Sequence, residues 1–560
     1  MNQTNTKTKD LNEKLFEIRR KEEETRINQI AEKFNIPYIN LLIIPIDSKD
    51  LAIIPQEKAE AGKMLVIKKS GNILNIAVNN PDNPETVKTI NELKEQGFEC
   101  KLFAATLTSL KKAWERYESV TREKQSASSK GIFVIQKNEL TEFKKSLGTI
   151  QELKKVISNL STTRLLTIIL AGSIEMKVSD IHLEPTKEEI NMRYRVDGLL
   201  QNVANFPQKE YRFLLSRIKT LSDMLLNIHD VSQDGRFTIN VLDGEKIEQS
   251  IDIRVSILPS THGESVVMRL LGLSSVKLNL KDLNIRPEFL KIIESQINSP
   301  TGMILTTGPT GSGKTTTLYA CLNYVNKPGT KIITVEDPVE YRLAGVTQTQ
   351  ISKRKGHTFA TTLKSIVRQD PDILMIGEIR DEESAEISVQ FALTGHLVFS
   401  TFHTNEAAGA IPRLISLKIK PDALASSLNL AIAQRLVRKL CPDCKKEQQP
   451  PKETLESIKK ILDSIPEKSG LSIPKKLAFY QAQGCAKCHG LGYQGRIGIF
   501  ELLTVSEEIK KLILKETAAF EIQNKAQEEG MTTLIQDALL RVVEGSTDLE
   551  EVKRVIGTIN

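Results

Sequence analysis

Residues 303–316 read Met-Ile-Leu-Thr-Thr-Gly-Pro-Thr-Gly-Ser-Gly-Lys-Thr-Thr, an apolar strand that runs into a glycine-rich loop, after which Thr316–Leu322 reads as a helix. Strand, loop and helix in this order make a complete phosphate-binding loop in the context it requires. Gly308, Gly311 and Gly313 permit a tight turn whose backbone N–H groups converge on phosphate oxygens, and the helix N-terminus adds the positive end of its dipole. Pro309, Thr310, Ser312 and Thr316 complete the set of expected nucleotide-binding residues. Lys314 is expected to reach the β and γ phosphates of ATP. Thr315 offers a hydroxyl to Mg²⁺, which prefers oxygen ligands in near-octahedral geometry.

Downstream, two further apolar runs end in carboxylates, as a ligand bound beyond the C-terminal ends of parallel strands requires. Ile332-Ile-Thr-Val-Glu336-Asp-Pro-Val-Glu340 is one and Ile373-Leu-Met-Ile-Gly377-Glu378 is the other. The second carries Gly where many phosphate-loop enzymes place an Asp, so Glu378 is the acid expected on the Mg²⁺ side. An acid on the neighbouring strand can polarise the attacking water. A third run, Leu397–Phe402, leads to His403, a residue able to sense a γ phosphate by hydrogen bonding.

Around this core the chain reads as modular, because 560 residues exceed what one hydrophobic core holds. Residues 1–29 read as a polar tail, 30–118 as a small α+β domain and 119–149 as a linker. Residues 150–275 read as a second α+β domain that opens on an amphipathic helix over 153–174. Residues 276–560 read as an α/β domain with the βαβ rhythm of a parallel sheet, with an insertion at 441–490 and a helical part over 500–560.

Hydrophobic residues make up 40% and charged residues 26% of the chain, ordinary values for a globular protein. No apolar run reaches the roughly 20 residues that span a bilayer, so any membrane contact is expected to be indirect. The polar opening MNQTNTKTKDLNEK lacks the apolar stretch of a secretory signal, which points to a reducing, cytoplasmic location. The net charge of +7 is small for this length and nominates no nucleic acid as partner.

Four of the six cysteines form two pairs, Cys441-Pro-Asp-Cys444 and Cys485-Ala-Lys-Cys488. In a reducing compartment that spacing favours a metal over disulfides. Four thiolates suit tetrahedral Zn²⁺, and a closed shell makes the site structural. His489 is surplus to that shell and reads as a turn residue.

The phosphate loop, the two acidic strands and the histidine strand, in this order, resemble the Walker A, Asp box, Walker B and His box of the secretion ATPase superfamily. Upstream, Ser179-Asp-Ile-His182-Leu-Glu-Pro, Arg193-Tyr-Arg-Val-Asp197-Gly, Gln233-Asp-Gly-Arg236 and Gly263-Glu-Ser-Val-Val-Met-Arg269 are similar to the second domain of its assembly members. The resemblance implies a RecA-like ATPase core preceded by two smaller α+β domains, the second PAS-like. It further implies a cytoplasmic homohexamer that couples ATP hydrolysis to assembly of type IV pili or type II secretion pseudopili.

Implied partners are an inner-membrane platform protein and cytoplasmic assembly components. Arg254 and Arg269 correspond to arginines that turn toward the γ phosphate. Glu340 corresponds to the catalytic glutamate of the Asp box, which leaves Glu336 as a metal-side acid or a support for one. The N-terminal domain and the cysteine element favour extension or secretion over retraction. The chain departs from the family pattern at Lys364, where Arg is usual, and at Phe402 and Glu406, where Leu and Asp are frequent. Paired leucine-rich motifs for cyclic di-GMP are not recognisable before Ile30, so that ligand is not expected. Two other readings use the same core, a nucleotide-binding scaffold without hydrolysis and a nucleic-acid translocase.

Overall fold

The computed structural model of the chain describes residues 23–41, 48–51, 53–114, 117, 131–140, 162–244, 246–271, 279–351 and 358–557. It divides into two units at residues 132 and 133. The first unit holds a three-stranded sheet of β1 (Met64–Ser70), β2 (Ile73–Val78) and β3 (Glu99–Ala104), with β1 and β2 antiparallel and β2 and β3 parallel. The helix Pro84–Glu95 connects the parallel pair and starts on Asn83, whose side chain accepts the Glu85 N–H. Trp114 closes this core and donates its indole N–H to the Met64 carbonyl at 3.2 Å.

The second unit begins with an antiparallel sheet of seven strands. These are β4 (Ile132–Gln136), β5 (Asp180–Pro185), β6 (Glu189–Val196), β7 (Leu199–Pro207), β8 (Gln233–Asp243), β9 (Lys246–Ser260) and β10 (Gly263–Leu271), in spatial order β4-β8-β9-β10-β5-β6-β7. Buried residues alternate strictly along β6, the pattern of a sheet with one apolar and one polar face. Helices Thr162–Glu175 and Gln208–Leu221 share the apolar core, and Tyr194 on β6 donates its hydroxyl to the Ile169 carbonyl at 2.6 Å.

Two expectations change here. Strand β4 lies inside the stretch read as a linker, because Phe133 and Ile135 alternate inward and extend the sheet at its edge. The helix expected over 153–174 is observed from Thr162 to Glu175, and residues 153–161 lie outside the described residues.

The remaining sheet is built from β11 (Gly302–Thr307), β12 (Ile332–Glu336), β13 (Thr347–Gln350), β14 (Ile373–Ile376), β15 (Leu397–Phe402) and β16 (Leu428–Leu440), all parallel. A ribbon of β17 (Lys446–Glu447) and β18 (Tyr480–Gln481) belongs to the insertion, and β19 (Tyr493–Thr504) pairs antiparallel with β16. The spatial order is β13-β12-β14-β15-β11-β16-β19. Strands β11, β12, β14 and β15 are buried along their whole length, as parallel strands covered on both faces should be.

The last helix, Leu549–Ile556, is locked to β16 by one carboxylate. Glu551 is fully buried and accepts from the Arg438 backbone N–H (2.9 Å), from Arg438 Nε and Nη2 (3.0 and 2.7 Å) and from Arg554 Nε and Nη2 (2.8 and 2.6 Å). Burial pushes this carboxyl up, but Arg554 and Arg438 outweigh it and hold it below the ordinary glutamate value. A carboxyl whose pKa is lower folded than unfolded stabilises fully above the unfolded value, about 4.3, and loses that contribution as pH falls through the folded value. Glu551→Gln is therefore expected to cost about 3 kcal/mol or more at pH 7. It should also shrink the difference in melting temperature between pH 7 and pH 3; thermal unfolding followed at several pH values measures both effects.

Candidate active site and metal centre

The phosphate loop folds as its glycines demand. Gly313 adopts φ 89° and caps the helix Lys314–Val325, and Gly308 adopts φ 148°. A Cβ on Gly308 would stand 2.6 Å from the Gln434 carbonyl, and one on Gly313 would stand 2.8 Å from Gln434 Nε2, so both positions exclude side chains. Lys314 is buried, and its ammonium donates to the carbonyls of Gly308 (2.6 Å) and Pro309 (3.1 Å). Desolvation lowers its pKa, opposed by the nearby charge of Glu378.

The loop lines a cavity of about 1180 Å³ that contains Gly311 to Thr316, Glu336, Glu340, Glu378 and His403. Glu378 is one-sixth exposed, pairs with Arg380, and lies 3.5 Å from His403 Nε2. A side chain at 377 would meet the backbone of β12 closely. Its Cβ would stand 3.2 Å from the Val335 carbonyl and 3.4 Å from Glu336 Cα, and the acid of this strand stands one residue onward at Glu378. The histidine loop is tied to β11, since Thr307 Oγ1 donates to the Thr404 carbonyl (2.7 Å) and accepts the Thr404 N–H (2.9 Å).

Glu336 and Glu340 occupy different environments. Glu336 is buried, and its carboxylate accepts from Tyr319, from Thr334 Oγ1 (2.6 Å) and from Gln348 Nε2 (3.1 Å). Three protein donors engage it, which suits a supporting acid and leaves little capacity for a metal. Glu340 is partly exposed and faces Arg254, with Nη1 at 3.5 Å from Oε2, while Arg254 Nη2 donates to the Val339 carbonyl at 2.6 Å. Arg269 lines the same cavity and donates from Nε to Asp180 Oδ1 at 2.8 Å. Burial pushes Asp180 up, but Arg269, Ser179 and Arg195 hold it below the ordinary aspartate value.

Five cavity arginines were missed in the sequence: Arg195, Arg380, Arg435, Arg496 and Arg554. Arg195 falls inside the stretch Arg193-Tyr-Arg-Val-Asp197-Gly but was given no role, and Arg380 carries no motif of its own. Arg435 donates to Asn405 Oδ1 (3.1 Å) and its carbonyl (3.0 Å), and its signal was available, since Gln434-Arg435 interrupts the apolar run from Leu430 to Val437. Lys364 sits outside the cavity in an exposed pair with Glu383 at 2.8 Å. Phe402 is buried in the core and Glu406 is exposed.

The four cysteines come together between the end of β16 and the start of β19, with all sulfurs within 4.8 Å of one another. Cys441–Cys485, Cys444–Cys488 and Cys485–Cys488 stand 3.9, 3.8 and 3.8 Å apart. Sulfurs at the corners of a tetrahedron of Zn–S bonds near 2.3 Å stand about 3.8 Å apart, so the set fits Zn²⁺. Backbone N–H groups of Cys485 (3.1 Å) and Gly492 (3.2 Å) point at Cys488 Sγ; burial works against the thiolate there, but these donors hold the pKa down to about 7. His489 adopts φ 54° at the end of the turn, the place expected for it.

A parallel sheet with a phosphate loop on one strand, acids on its neighbours and a second domain closing the cavity defines a P-loop ATPase. The chain belongs to the Type II/IV secretion system protein family, whose model matches residues 157–554, and residues 34–124 match the MshEN domain model. It is 36% identical over 534 residues to the type IV pilus assembly ATPase PilB of Myxococcus xanthus, covering 95% of this chain and 91% of that protein. It is 44% identical over 392 residues to the type II secretion system protein E of Pseudomonas aeruginosa, covering 70% and 75%. The Legionella pneumophila ATPase DotB shares the fold, with a TM-score of 0.51 at 19% identity over 71% of this chain and 96% of that one.

Metal analysis of protein purified under reducing conditions is expected to find about one zinc per chain. Cys441→Ser should drop it to near zero and open residues 441–492 to proteolysis, because the binding energy of a structural zinc is folding energy. Wild-type protein without zinc would refute the site.

Proposed function

We propose that the chain is the motor of a pilus-assembly or secretion machine, a cytoplasmic homohexamer in which ATP hydrolysis drives assembly of type IV pili or type II pseudopili. Its partners in this reading are an inner-membrane platform protein and cytoplasmic assembly components. Among the described residues no helix is long and apolar enough to cross a membrane. One observation carries the reading: Arg254 and Arg269 of the antiparallel domain line the same cavity as Lys314, Glu378, His403 and Glu340 of the ATPase domain. A nucleotide there touches both domains, so its γ phosphate can set their relation. That link turns hydrolysis into movement.

In this reading the loop from Gly308 to Thr316 holds the phosphates and Lys314 balances charge on the β and γ groups. Thr315 and Glu378 would hold Mg²⁺, which when bound neutralises charge developing on phosphate oxygens. Glu340 orients a water in line with the γ phosphorus and takes its proton as the new P–O bond forms and the bond to the β–γ bridging oxygen breaks. His403 donates to the γ phosphate. Arg254 and Arg269 stabilise the charge there, and Glu336 supports the strand that carries the acid loop.

Lys314→Ala is expected to abolish Mg²⁺-dependent hydrolysis, and turnover at the wild-type rate would overturn the assignment. Glu340→Gln should keep ATP affinity while slowing single-turnover hydrolysis by about 10²–10⁴-fold, and Glu378→Gln should raise the Mg²⁺ concentration that hydrolysis requires. Sedimentation with a non-hydrolysable ATP analogue tests the assembly, and a protein that stays monomeric at every concentration would remove the hexamer.

A further inference from the structure

The antiparallel sheet carries its charges in a line. Its registers place Arg195 opposite Asp180, Asp180 opposite Arg269, Arg269 opposite Arg254, and Arg254 opposite Arg236. Directly paired residues of antiparallel strands project from the same face, with Cα atoms about 5 Å apart. Strands β6, β5, β10, β9 and β8 therefore contribute one continuous row of four arginines and a single carboxylate. Like charges set opposite one another destabilise a sheet, and Asp180, with Glu340 facing Arg254 from the acid loop, still leaves the row with an excess of positive charge. A row of this kind calls for an anion in front of it. Four of its members, all but the exposed Arg236, line the cavity that holds the phosphate loop.

The geometry at Asp180 shows how the row is aimed. This carboxylate is 5% exposed and receives Arg269 Nε at 2.8 Å on one oxygen, with Arg195 Nε at 3.3 Å and Ser179 Oγ at 2.9 Å on the other. Both guanidiniums are thus gripped through Nε, the inner edge of the fork, which leaves terminal amino groups to face a ligand. Arg195 spends only Nη1 elsewhere, on the Gly198 carbonyl at 3.1 Å.

We propose that Arg195 is a further phosphate-contacting residue, held beside Arg269 by Asp180 so that the two arginines together distinguish ATP from ADP. Asp180 is then a positioning residue, acting through both. The inference rests on the reading that Arg254 and Arg269 face the γ phosphate and adds Arg195 to that set. An arginine that only neutralised Asp180 would hold the fold without discriminating between nucleotides, which separates the two roles.

The test measures affinity of the full-length chain for Mg²⁺-ADP and for Mg²⁺ with a non-hydrolysable ATP analogue. Arg195→Ala is expected to weaken the analogue by about tenfold or more, the scale of one hydrogen bond to a charged group, while ADP affinity stays within about twofold. Arg195→Lys should recover little, because an ammonium cannot bind Asp180 and present a fork at once. Asp180→Asn, which loosens both arginines, should lose discrimination at least as far. Should the alanine variant fail to fold, Arg195→Gln reports the same ratio. Equal losses for both nucleotides, or no change in their ratio, overturn the proposal. Arg269→Ala serves as the control: a shifted ratio there with an unshifted one for Arg195 rejects only the new residue, whereas no shift in either rejects the underlying reading as well.

Discussion

The whole site depends on how closely the phosphate loop lies against β16. Two glycines make that approach possible, and the space that a Cβ would fill at Gly308 and Gly313 is taken by the backbone and side chain of Gln434. Gln434 also accepts the Thr317 hydroxyl at 2.8 Å, inside the first turn of the phosphate-loop helix. The next residue, Arg435, reaches across to Asn405 beyond the histidine strand. Three residues further on Arg438 takes hold of Glu551, and the strand then ends at Leu440, directly before Cys441 of the metal centre. A single strand thus connects loop, histidine loop, C-terminal helix and zinc. A shift of β16 would move all four, so the rigidity of this strand is a condition for the geometry of the site.

How much of this the sequence discloses follows from how local each constraint is. A phosphate loop must place its glycines, lysine and hydroxyl within a few consecutive residues, so it is readable in full, and the acids at the ends of β12 and β14 follow from the strand pattern. The two cysteine pairs are readable because each supplies half of a tetrahedron within four residues. The arginine row is not, since Arg195, Asp180, Arg269 and Arg254 come from four strands and only the register aligns them. The family resemblance gave roles to two of these arginines and quoted the stretches that hold Asp180 and Arg195, without assigning either residue a role. Strand β4 was missed because its polar neighbours outweigh the short alternation of Ile132-Phe-Val-Ile in composition.

The contrast between Glu336 and Glu340 shows where burial decides chemistry. Both acids follow one strand within five residues, and spacing alone leaves open which serves the water. Tyr319, Thr334 and Gln348 satisfy Glu336, and a buried carboxylate so engaged is costly to strip of its donors. Its partners explain its presence. Tyr319 belongs to the phosphate-loop helix and Gln348 to β13, so the carboxylate joins the helix to the sheet edge beside the acid loop. Burial, and then the charge of Glu336, push the Tyr319 hydroxyl far above the ordinary tyrosine value, which keeps it a donor at any physiological pH.

Glu340 has the opposite situation, and Arg254 makes it consequential. The guanidinium grips the acid loop twice, by its backbone at Val339 and more loosely by the Glu340 carboxylate. The 2.6 Å backbone bond needs no charge on its acceptor, whereas the 3.5 Å contact is long for a charge-assisted one. Under the roles proposed above, a triphosphate presents more negative charge than a single carboxylate, so it draws the weaker of these two contacts away first. The Val339 bond can persist while the Glu340 oxygens turn to water. In that reading the same arginine would hold the domains together and free the acid when a γ phosphate is present. On the proposed roles, closure and activation of water would be coupled through one side chain, because its fork has two ends and one of them is held by an uncharged acceptor.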